Sequence, residues 1–101
     1  MYVSRLSFYT RPGHTEDVAQ RLRQLADMVV STGLTRPRVL RVSMASPGAP
    51  DLLFEEEVES LGDLERGING VTDKDAFHRW SNEVSELLLH PPKREILMVE
   101  A

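Results

Sequence analysis

The alternation of strand-like and helix-like segments is the feature that most constrains how this chain can fold. Residues 2–10 are rich in Tyr, Val, Leu and Phe and predict a strand, and residues 11–14, Arg-Pro-Gly-His, predict a turn after it. Apolar residues then recur at a 3.6-residue spacing between Val18 and Val29. This spacing predicts an amphipathic helix that begins near Thr15, its expected N-cap, and ends near Ser31. Gly33 suits the C-terminal end of that helix.

A predicted β-hairpin follows the helix. Residues 37–45 contain Val39, Leu40 and Val42 and predict the second strand, and residues 51–60 predict the third. Residues 46–50, Ser-Pro-Gly-Ala-Pro, form a short loop between them. A loop of this length joins antiparallel neighbours, so we expect the two strands to pair in that way.

Two further helical segments and a final strand complete the chain. Residues 60–63, Ser-Leu-Gly-Asp, resemble a capping box, while residues 67–70, Gly-Ile-Asn-Gly, predict that the helix they open ends early. Residues 72–75, Thr-Asp-Lys-Asp, predict the start of a longer helix that ends before Pro91 and Pro92. Residues 94–100 predict the last strand.

The resulting order, strand–helix–strand–strand–helix–strand, predicts an α+β fold of the ferredoxin-like βαββαβ type. In this arrangement a four-stranded antiparallel sheet carries helices on one face. The 101 residues fit a single domain spanning residues 1–101. A chain of this size has a thin core, because surface area is large relative to volume in small domains, and a thin core favours an oligomer.

Charge and composition exclude several classes of function. The net charge is −4 and the 12 basic residues are scattered, so no basic face for nucleic acid is expected. The chain has no cysteine, which excludes disulfides, thiolate metal sites and cysteine nucleophiles. No signal peptide and no apolar run of the roughly 20 residues that a membrane span needs is visible. We therefore expect a cytoplasmic protein that binds neither nucleic acid nor membrane.

Alternation along the strands predicts which side chains face the helices and which face away. The set expected to face the helices comprises Tyr2, Ser4, Leu6, Phe8, Leu40, Val42, Met44, Leu52, Phe54, Glu56 and Val58. The opposite set mixes apolar residues with both signs of charge, which suits pairing with a second copy of the chain. We expect a homodimer whose interface includes Arg5, Tyr9, Arg41, Glu55 and Glu57. The alternative is a solvent-facing sheet whose ion pairs each contribute little.

Three short segments resemble the dimeric α+β barrel group, which includes the antibiotic-biosynthesis-monooxygenase-like and NIPSNAP-like families. The first is the opening strand, Arg-Leu-Ser-Phe-Tyr at residues 5–9, followed by Arg-Pro-Gly and an acidic helix start. The second is the strand at residues 53–61, which runs into Glu-Ser-Leu. The third is Phe77-x-x-Trp80-Ser81 on the last predicted helix. Together they extend the resemblance over nearly the whole chain.

The resemblance implies a small-molecule enzyme similar to the cofactor-free monooxygenases and isomerases of this group, acting on an apolar or aromatic substrate. It implies a pocket between sheet and helices, with Trp80, Phe77, Phe8 and Ser4 as its expected lining. The alternative is a non-catalytic ligand-binding or structural homodimer. Haem-degrading members of the group place a histidine at the position of His90, but they have Asn where this chain has Ser4, and Pro91-Pro92 directly follow His90 here.

Few residues suggest catalysis without the resemblance. His78 lies at the edge of the apolar face of the predicted helix and could act as a base near neutral pH, or it could be a solvated flank residue. Trp80 could form the wall of a ligand pocket or belong to the core. The histidines His14, His78 and His90 match no metal-binding motif, and no phosphate-binding loop is present. We therefore predict no metal and no cofactor.

Overall fold

The computed structural model describes residues 1–100, and its elements alternate in the predicted order. They are β1 (Tyr2–Phe8), α1 (Thr15–Val30), β2 (Arg38–Arg41), β3 (Leu52–Val58), α2 (Leu61–Thr72), α3 (Asp75–Ser85) and β4 (Lys93–Met98). The four strands form one antiparallel sheet in the order β2-β3-β1-β4. The predicted βαββαβ layout is confirmed, with its second helical region divided between α2 and α3. None of the helices within residues 1–100 is long and apolar enough to cross a membrane.

The turn between β1 and α1 forms as predicted, but Thr15 does not cap the helix. The His14 N–H donates to the Arg11 carbonyl oxygen over 3.0 Å, and Gly13 has φ of 82°, a conformation that favours glycine. His14 takes the N-cap position, and Thr15 is the first helical residue. The Thr15 hydroxyl lies 2.7 Å from the Thr10 hydroxyl instead, so it ties the helix start to the end of β1.

Helix α2 continues through the glycines that were expected to end it. The start is as predicted, because the Ser60 Oγ accepts a hydrogen bond from the Asp63 N–H at 3.1 Å. Gly67 and Gly70 both keep helical backbone without positive φ, and the helix reaches Thr72. Gly67 packs closely against Leu34, since a Cβ at this position would lie 2.6 Å from Leu34 Cδ1 and would displace that side chain. Gly67 therefore allows α2 to lie close to Leu34, and neither glycine ends the helix.

Helix α3 is shorter than predicted and has a different start. Its N-cap is Lys74, without a side-chain hydrogen bond, and Thr72 belongs to the end of α2 instead of capping α3. The helix ends at Ser85, before the two prolines. The chain between Ser85 and β4 is anchored to the end of β1, because the Leu89 N–H donates to the Tyr9 carbonyl oxygen over 2.9 Å.

The hydrophobic core lies between the helices and one face of the sheet, which we call the covered face. Its buried apolar residues are Phe8, Val18, Ala19, Leu22, Leu25, Ala26, Val29, Leu52, Phe54, Val71, Trp80, Val84 and Leu88. The predicted helix periodicity is confirmed, since the buried residues of α1 are the apolar ones of the 3.6-residue pattern. The predicted face assignments of β1 and β3 are also confirmed, because Ser4, Phe8, Leu52 and Phe54 are buried there.

The predicted face assignment of β2 is wrong. Val39 pairs with Phe54 and packs against the core, and Arg41 pairs with Leu52, so both lie on the covered face. The Arg41 guanidinium forms an ion pair with Glu16 at the start of α1. Leu40 lies on the opposite face beside Leu53. A strand of only four residues gives too little alternation to fix its own register, so the pairing with β3 decides it.

Strand β4 is the most exposed strand of the sheet. All six of its residues are exposed, and it pairs with β1 on one side only. The apolar side chains of Ile96, Leu97 and Met98 are 48%, 37% and 61% exposed. The second half of this strand therefore forms an apolar edge that the rest of residues 1–100 leaves uncovered.

Candidate functional site

A cavity of about 210 Å³ lies between the covered face of the sheet and the helices. Its lining comes from every helix and from three strands: Leu6, Phe8, Leu25, Val29, Phe54, Glu56, Gly67, Ile68, Val71, Thr72, Phe77, Trp80, Ser81, Pro92 and Arg94. An engineered apolar cavity of about 150 Å³ is large enough to bind benzene. The cavity in this chain is therefore large enough for a substituted aromatic ring.

The aromatic side chains of α3 form one wall of the cavity. The rings of Phe77 and Trp80 are stacked, with centroids 5.7 Å apart and planes inclined by 27°. The Trp80 Nε1–H donates to the Arg21 carbonyl oxygen over 2.6 Å, which fixes the indole against α1. Its polar atom thus points into the protein while its ring faces the cavity, an arrangement suited to contact with an apolar or aromatic molecule.

Two charged side chains lie on the sheet side of an otherwise apolar cavity. Glu56 of β3 is opposite Ser4 of β1, and Arg94 of β4 is opposite Leu6 of β1. The two therefore lie diagonally across β1 on the covered face. The Arg94 Nη1 donates to the Ser4 Oγ over 2.6 Å, so the guanidinium extends along β1 toward the position that Glu56 faces.

Burial perturbs the ionisation of both charged groups. It raises the pKa of Glu56 above its ordinary value, and the positive charge of Arg94 opposes this effect. Partial burial of the guanidinium likewise lowers the pKa of Arg94, although the residue as a whole is exposed, while the charge of Glu56 opposes that change. Within residues 1–100 the Glu56 carboxylate has no ion-pair partner, and Arg94 acts on it through charge alone. Titratable groups with perturbed pKa values that line a cleft are candidates for a functional site.

The predicted pocket residues come together only in part. Trp80, Phe77 and Phe8 line the cavity. Ser4 is 2% exposed and lies behind the lining, where it holds Arg94. His78 is exposed on α3, with its ring edge-on to Phe77 at 6.1 Å, and it is not among the lining residues. Its catalytic role stays a prediction.

Glu56 and Arg94 are the site residues that the sequence analysis missed. The alternation in β3 already placed Glu56 on the covered face, where a lone carboxylate is unusual and signals a functional site. Arg94 gave no such signal, because nothing in the sequence sets the register of β4 against β1. Only the pairing of Arg94 with Leu6 brings it to the covered face.

The opposite face of the sheet, here called the open face, carries most of the residues expected at an interface. Glu55 is only 5% exposed, and it accepts hydrogen bonds from Arg5 at 2.6 Å and from Arg38 at 2.8 Å. Glu57 is exposed on the same face. Tyr9 follows β1 and lies beside His90, with ring centroids 4.6 Å apart. Arg41 is not on this face, contrary to the prediction.

No cluster of three or more His, Asp or Glu side chains within residues 1–100 could hold a metal ion.

Neither a protein-family model nor the sequence of a curated protein matches the chain.

Comparison with solved structures shows the fold. A protein from Nitrosomonas europaea, provisionally described as an antibiotic biosynthesis monooxygenase, superposes with a TM-score of 0.73 at 15% identity, over 100% of both chains. A crystal structure of an antibiotic biosynthesis monooxygenase gives a TM-score of 0.71 at 15% identity, again over 100% of both chains. An uncharacterised NIPSNAP-like domain protein from Burkholderia xenovorans gives 0.77 at 15% identity, over 99% of this chain and 85% of that one. The chain therefore has the ferredoxin-like α+β fold that these proteins share, as the sequence resemblance predicted.

Proposed function

We propose that this chain is a small-molecule enzyme resembling the cofactor-free monooxygenases and isomerases of its fold group, and that it acts on an apolar or aromatic substrate. The observation that carries the proposal is the cavity between sheet and helices, which has aromatic and aliphatic walls and one charged edge. An apolar pocket with a few converging polar groups is the usual form of a small-molecule site. A protein whose interior served packing alone would fill this space with side chains.

The enzyme proposal is tested first by native mass spectrometry of freshly purified protein. We expect a bound small molecule of constant mass, which would identify a starting ligand. That ligand, or an apolar aromatic probe such as naphthalene, is then added back in aerated buffer while its consumption and the uptake of oxygen are followed. Conversion of the ligand supports an enzyme. Binding without conversion under these conditions favours the alternative, a non-catalytic ligand-binding protein.

Two serines one helical turn apart on α3 provide a matched test of the cavity. Ser81 lines the cavity, whereas Ser85 is exposed and lies outside the lining. We expect Ser81→Phe to fill the cavity and weaken naphthalene binding at least about 10-fold, since a ring of that size competes for the same space. Ser85→Phe should leave binding unchanged. Equal affinity in the two variants would place the ligand elsewhere and contradict the proposal.

We further propose that the chain functions as a homodimer formed through its open face. Apolar side chains there, including Val3, Leu40, Leu53 and Leu97, are interleaved with charges of both signs. The Arg5–Glu55–Arg38 cluster neutralises the central carboxylate, so this face can be covered without leaving that group unpaired. A two-fold interface requires a self-complementary surface, and neighbouring acidic and basic side chains supply one.

A further inference from the structure

The charged edge of the cavity indicates what kind of ligand it takes. Glu56 and Arg94 carry opposite charges, yet Arg94 donates to Ser4, and the carboxylate has no ion-pair partner within residues 1–100. The carboxylate is thus free to accept a hydrogen bond from a ligand. The guanidinium has five N–H donors and spends one on Ser4, so it retains donors for a ligand as well.

We propose that Glu56 and Arg94 together bind one weakly acidic hydroxyl, phenolic or enolic, carried by an apolar ring, and that Glu56 takes its proton. This inference rests on the proposed function, because it names the ligand class for the same cavity. A hydroxyl both donates and accepts, so a single oxygen can donate to Glu56 and accept from Arg94. The ring then lies against Phe77 and Trp80 and the aliphatic lining.

The proton transfer conserves charge within the site. The ligand O–H bond breaks, the proton forms a new O–H bond with the Glu56 carboxylate, and the electron pair stays on the ligand oxygen. Arg94 remains protonated, as arginine does in proteins, and holds the resulting oxyanion through its N–H groups. One negative charge has moved from Glu56 to the ligand, and the sum over the three groups is unchanged. No further reactant is needed for this step.

Burial favours this transfer over simple hydrogen bonding. The carboxylate is destabilised by its apolar surroundings, which raises the pKa of Glu56 and makes it a stronger base than an exposed glutamate. The oxyanion would form beside a guanidinium in a largely apolar and partly buried cavity, where the attraction between opposite charges is stronger than in bulk water. A ligand that arrives as an anion binds less well, because Glu56 must first take up a proton from solvent if two negative charges are not to share one cavity.

Three ligands with the same ring system test whether binding requires a hydrogen-bond donor and whether a negative charge on the ligand weakens it. The first is 2-naphthol, which can donate and accept. The second is 2-methoxynaphthalene, which can only accept. The third is 2-naphthoate, which arrives as an anion. Affinities are measured by isothermal titration calorimetry at neutral pH. We expect 2-naphthol to bind at least about 10-fold more tightly than 2-methoxynaphthalene, since a hydrogen bond to a charged group is worth more than a neutral one, and 2-naphthoate to bind more weakly than either.

Variants then test whether Glu56 and Arg94 cause the preference for 2-naphthol. Glu56→Gln keeps the side-chain size and removes one charge, and Arg94→Gln removes the guanidinium and its charge. Both variants should bring the affinity for 2-naphthol within about 3-fold of that for 2-methoxynaphthalene, because one of the two hydrogen bonds becomes neutral or is lost. The matched controls are Glu57→Gln and Lys93→Gln, neighbours in the same strands that lie on the open face. They should retain the preference for 2-naphthol. Arg94 is exposed on an edge strand, so its variant remains informative even if Glu56→Gln alters folding.

Absorption spectroscopy tests the proton transfer itself. Ionised 2-naphthol absorbs at longer wavelength than the neutral form and outside the protein absorption. We expect the bound ligand to show the ionised band at a pH where the free ligand is neutral, and Glu56→Gln to abolish it. If all three ligands bind equally, the cavity is used but the assignment to Glu56 and Arg94 is overturned. If 2-naphthol binds preferentially without ionising, Glu56 is not the base. If none of the three binds, the proposed use of the cavity fails together with this inference.

Discussion

At the scale of single residues, the side chains that define the site are those that break the expected pattern. A carboxylate on the covered face of a sheet costs stability unless something compensates for its lost hydration. Glu56 receives only the charge of Arg94 as compensation, and no hydrogen bond. Glu55, its neighbour on the open face, is even less accessible to solvent but accepts hydrogen bonds from two arginines. The contrast separates a carboxylate held for structure from one left free for a ligand.

Replacement of Glu56 should change how stability depends on pH. Because burial raises its pKa above 4.5, the folded state binds this proton more tightly than the unfolded state. The resulting stabilisation is full below that ordinary value and is lost as the pH rises through the higher folded pKa. Glutamine does not titrate, so Glu56→Gln should be more stable than the parent protein at pH 7 and lose that advantage at pH 4. The measurement is urea unfolding followed by circular dichroism.

Glu57→Gln is the control for this experiment, because Glu57 is exposed on the open face. Its difference from the parent protein should be small at both pH values. A difference between Glu56→Gln and the parent protein that is the same at pH 4 and pH 7 would show that Glu56 is not perturbed by burial.

At the scale of helices and strands, the sequence predicts long periodic segments well and short ones poorly. Helix α1 carries four turns of apolar periodicity, so its buried face could be predicted from the sequence. Strand β2 has only four residues, and its faces are set by pairing with β3. The prediction that the glycines of α2 end the helix was wrong for a related reason. A glycine that ends a helix and one that allows close packing look alike until the neighbouring chain is in place.

The two glycines of α2 should respond differently to substitution by alanine. A Cβ on Gly70 would make ordinary contacts with Thr32, 3.7 Å away, so Gly70→Ala should stabilise the protein by about 0.5–1 kcal/mol through helix propensity. At Gly67 the added carbon would meet Leu34 Cδ1 at 2.6 Å, and the displacement of Leu34 offsets that gain. Thermal and urea unfolding of the two variants measure the difference. A larger stabilisation from Gly67→Ala than from Gly70→Ala would contradict the packing of α2 described here.

In the candidate site too, some residues are placed by local periodicity and others by the pairing of strands. Phe77 and Trp80 belong to the apolar face of one helix and line the cavity, and the family resemblance implied a pocket lined by both. Arg94 reaches the pocket only through the register between the first and last strands, which are separated by most of the chain. Local periodicity carries no information about that register.

At the scale of the whole molecule, the two faces of the sheet differ in how well they are shielded from solvent. The helices bury the covered face, while the open face and β4 leave apolar side chains accessible. A chain of this size gains stability from covering such surfaces, since its own core is thin. The proposed dimer would cover the open face and leave the cavity on the other side of each sheet.

Replacement of one apolar residue on the open face by a charged residue should dissociate that dimer. Leu53 lies between Ser7 and Leu40 on this face, and Leu53→Arg would place two additional positive charges in a two-fold interface. We expect sedimentation velocity to show a dimer for the parent protein at micromolar concentration and a monomer for the variant. Leu61→Arg, at the exposed start of α2, is the control and should remain dimeric. A monomeric parent protein, or a dimeric Leu53→Arg variant, would contradict the proposed interface.

Because β4 is exposed, the apparent affinity for a ligand should depend on how often this strand is docked on the sheet. This strand supplies Arg94, yet all six of its residues are exposed and it is held by pairing with β1 alone. Segments with little burial open locally at low free energy, so backbone amides of β4 should exchange with deuterium faster than those of β1 and β3. A ligand that depends on Arg94 binds only the molecules in which β4 is docked. Its apparent dissociation constant is therefore the intrinsic value divided by the docked fraction, and by the same linkage the ligand should slow amide exchange in β4.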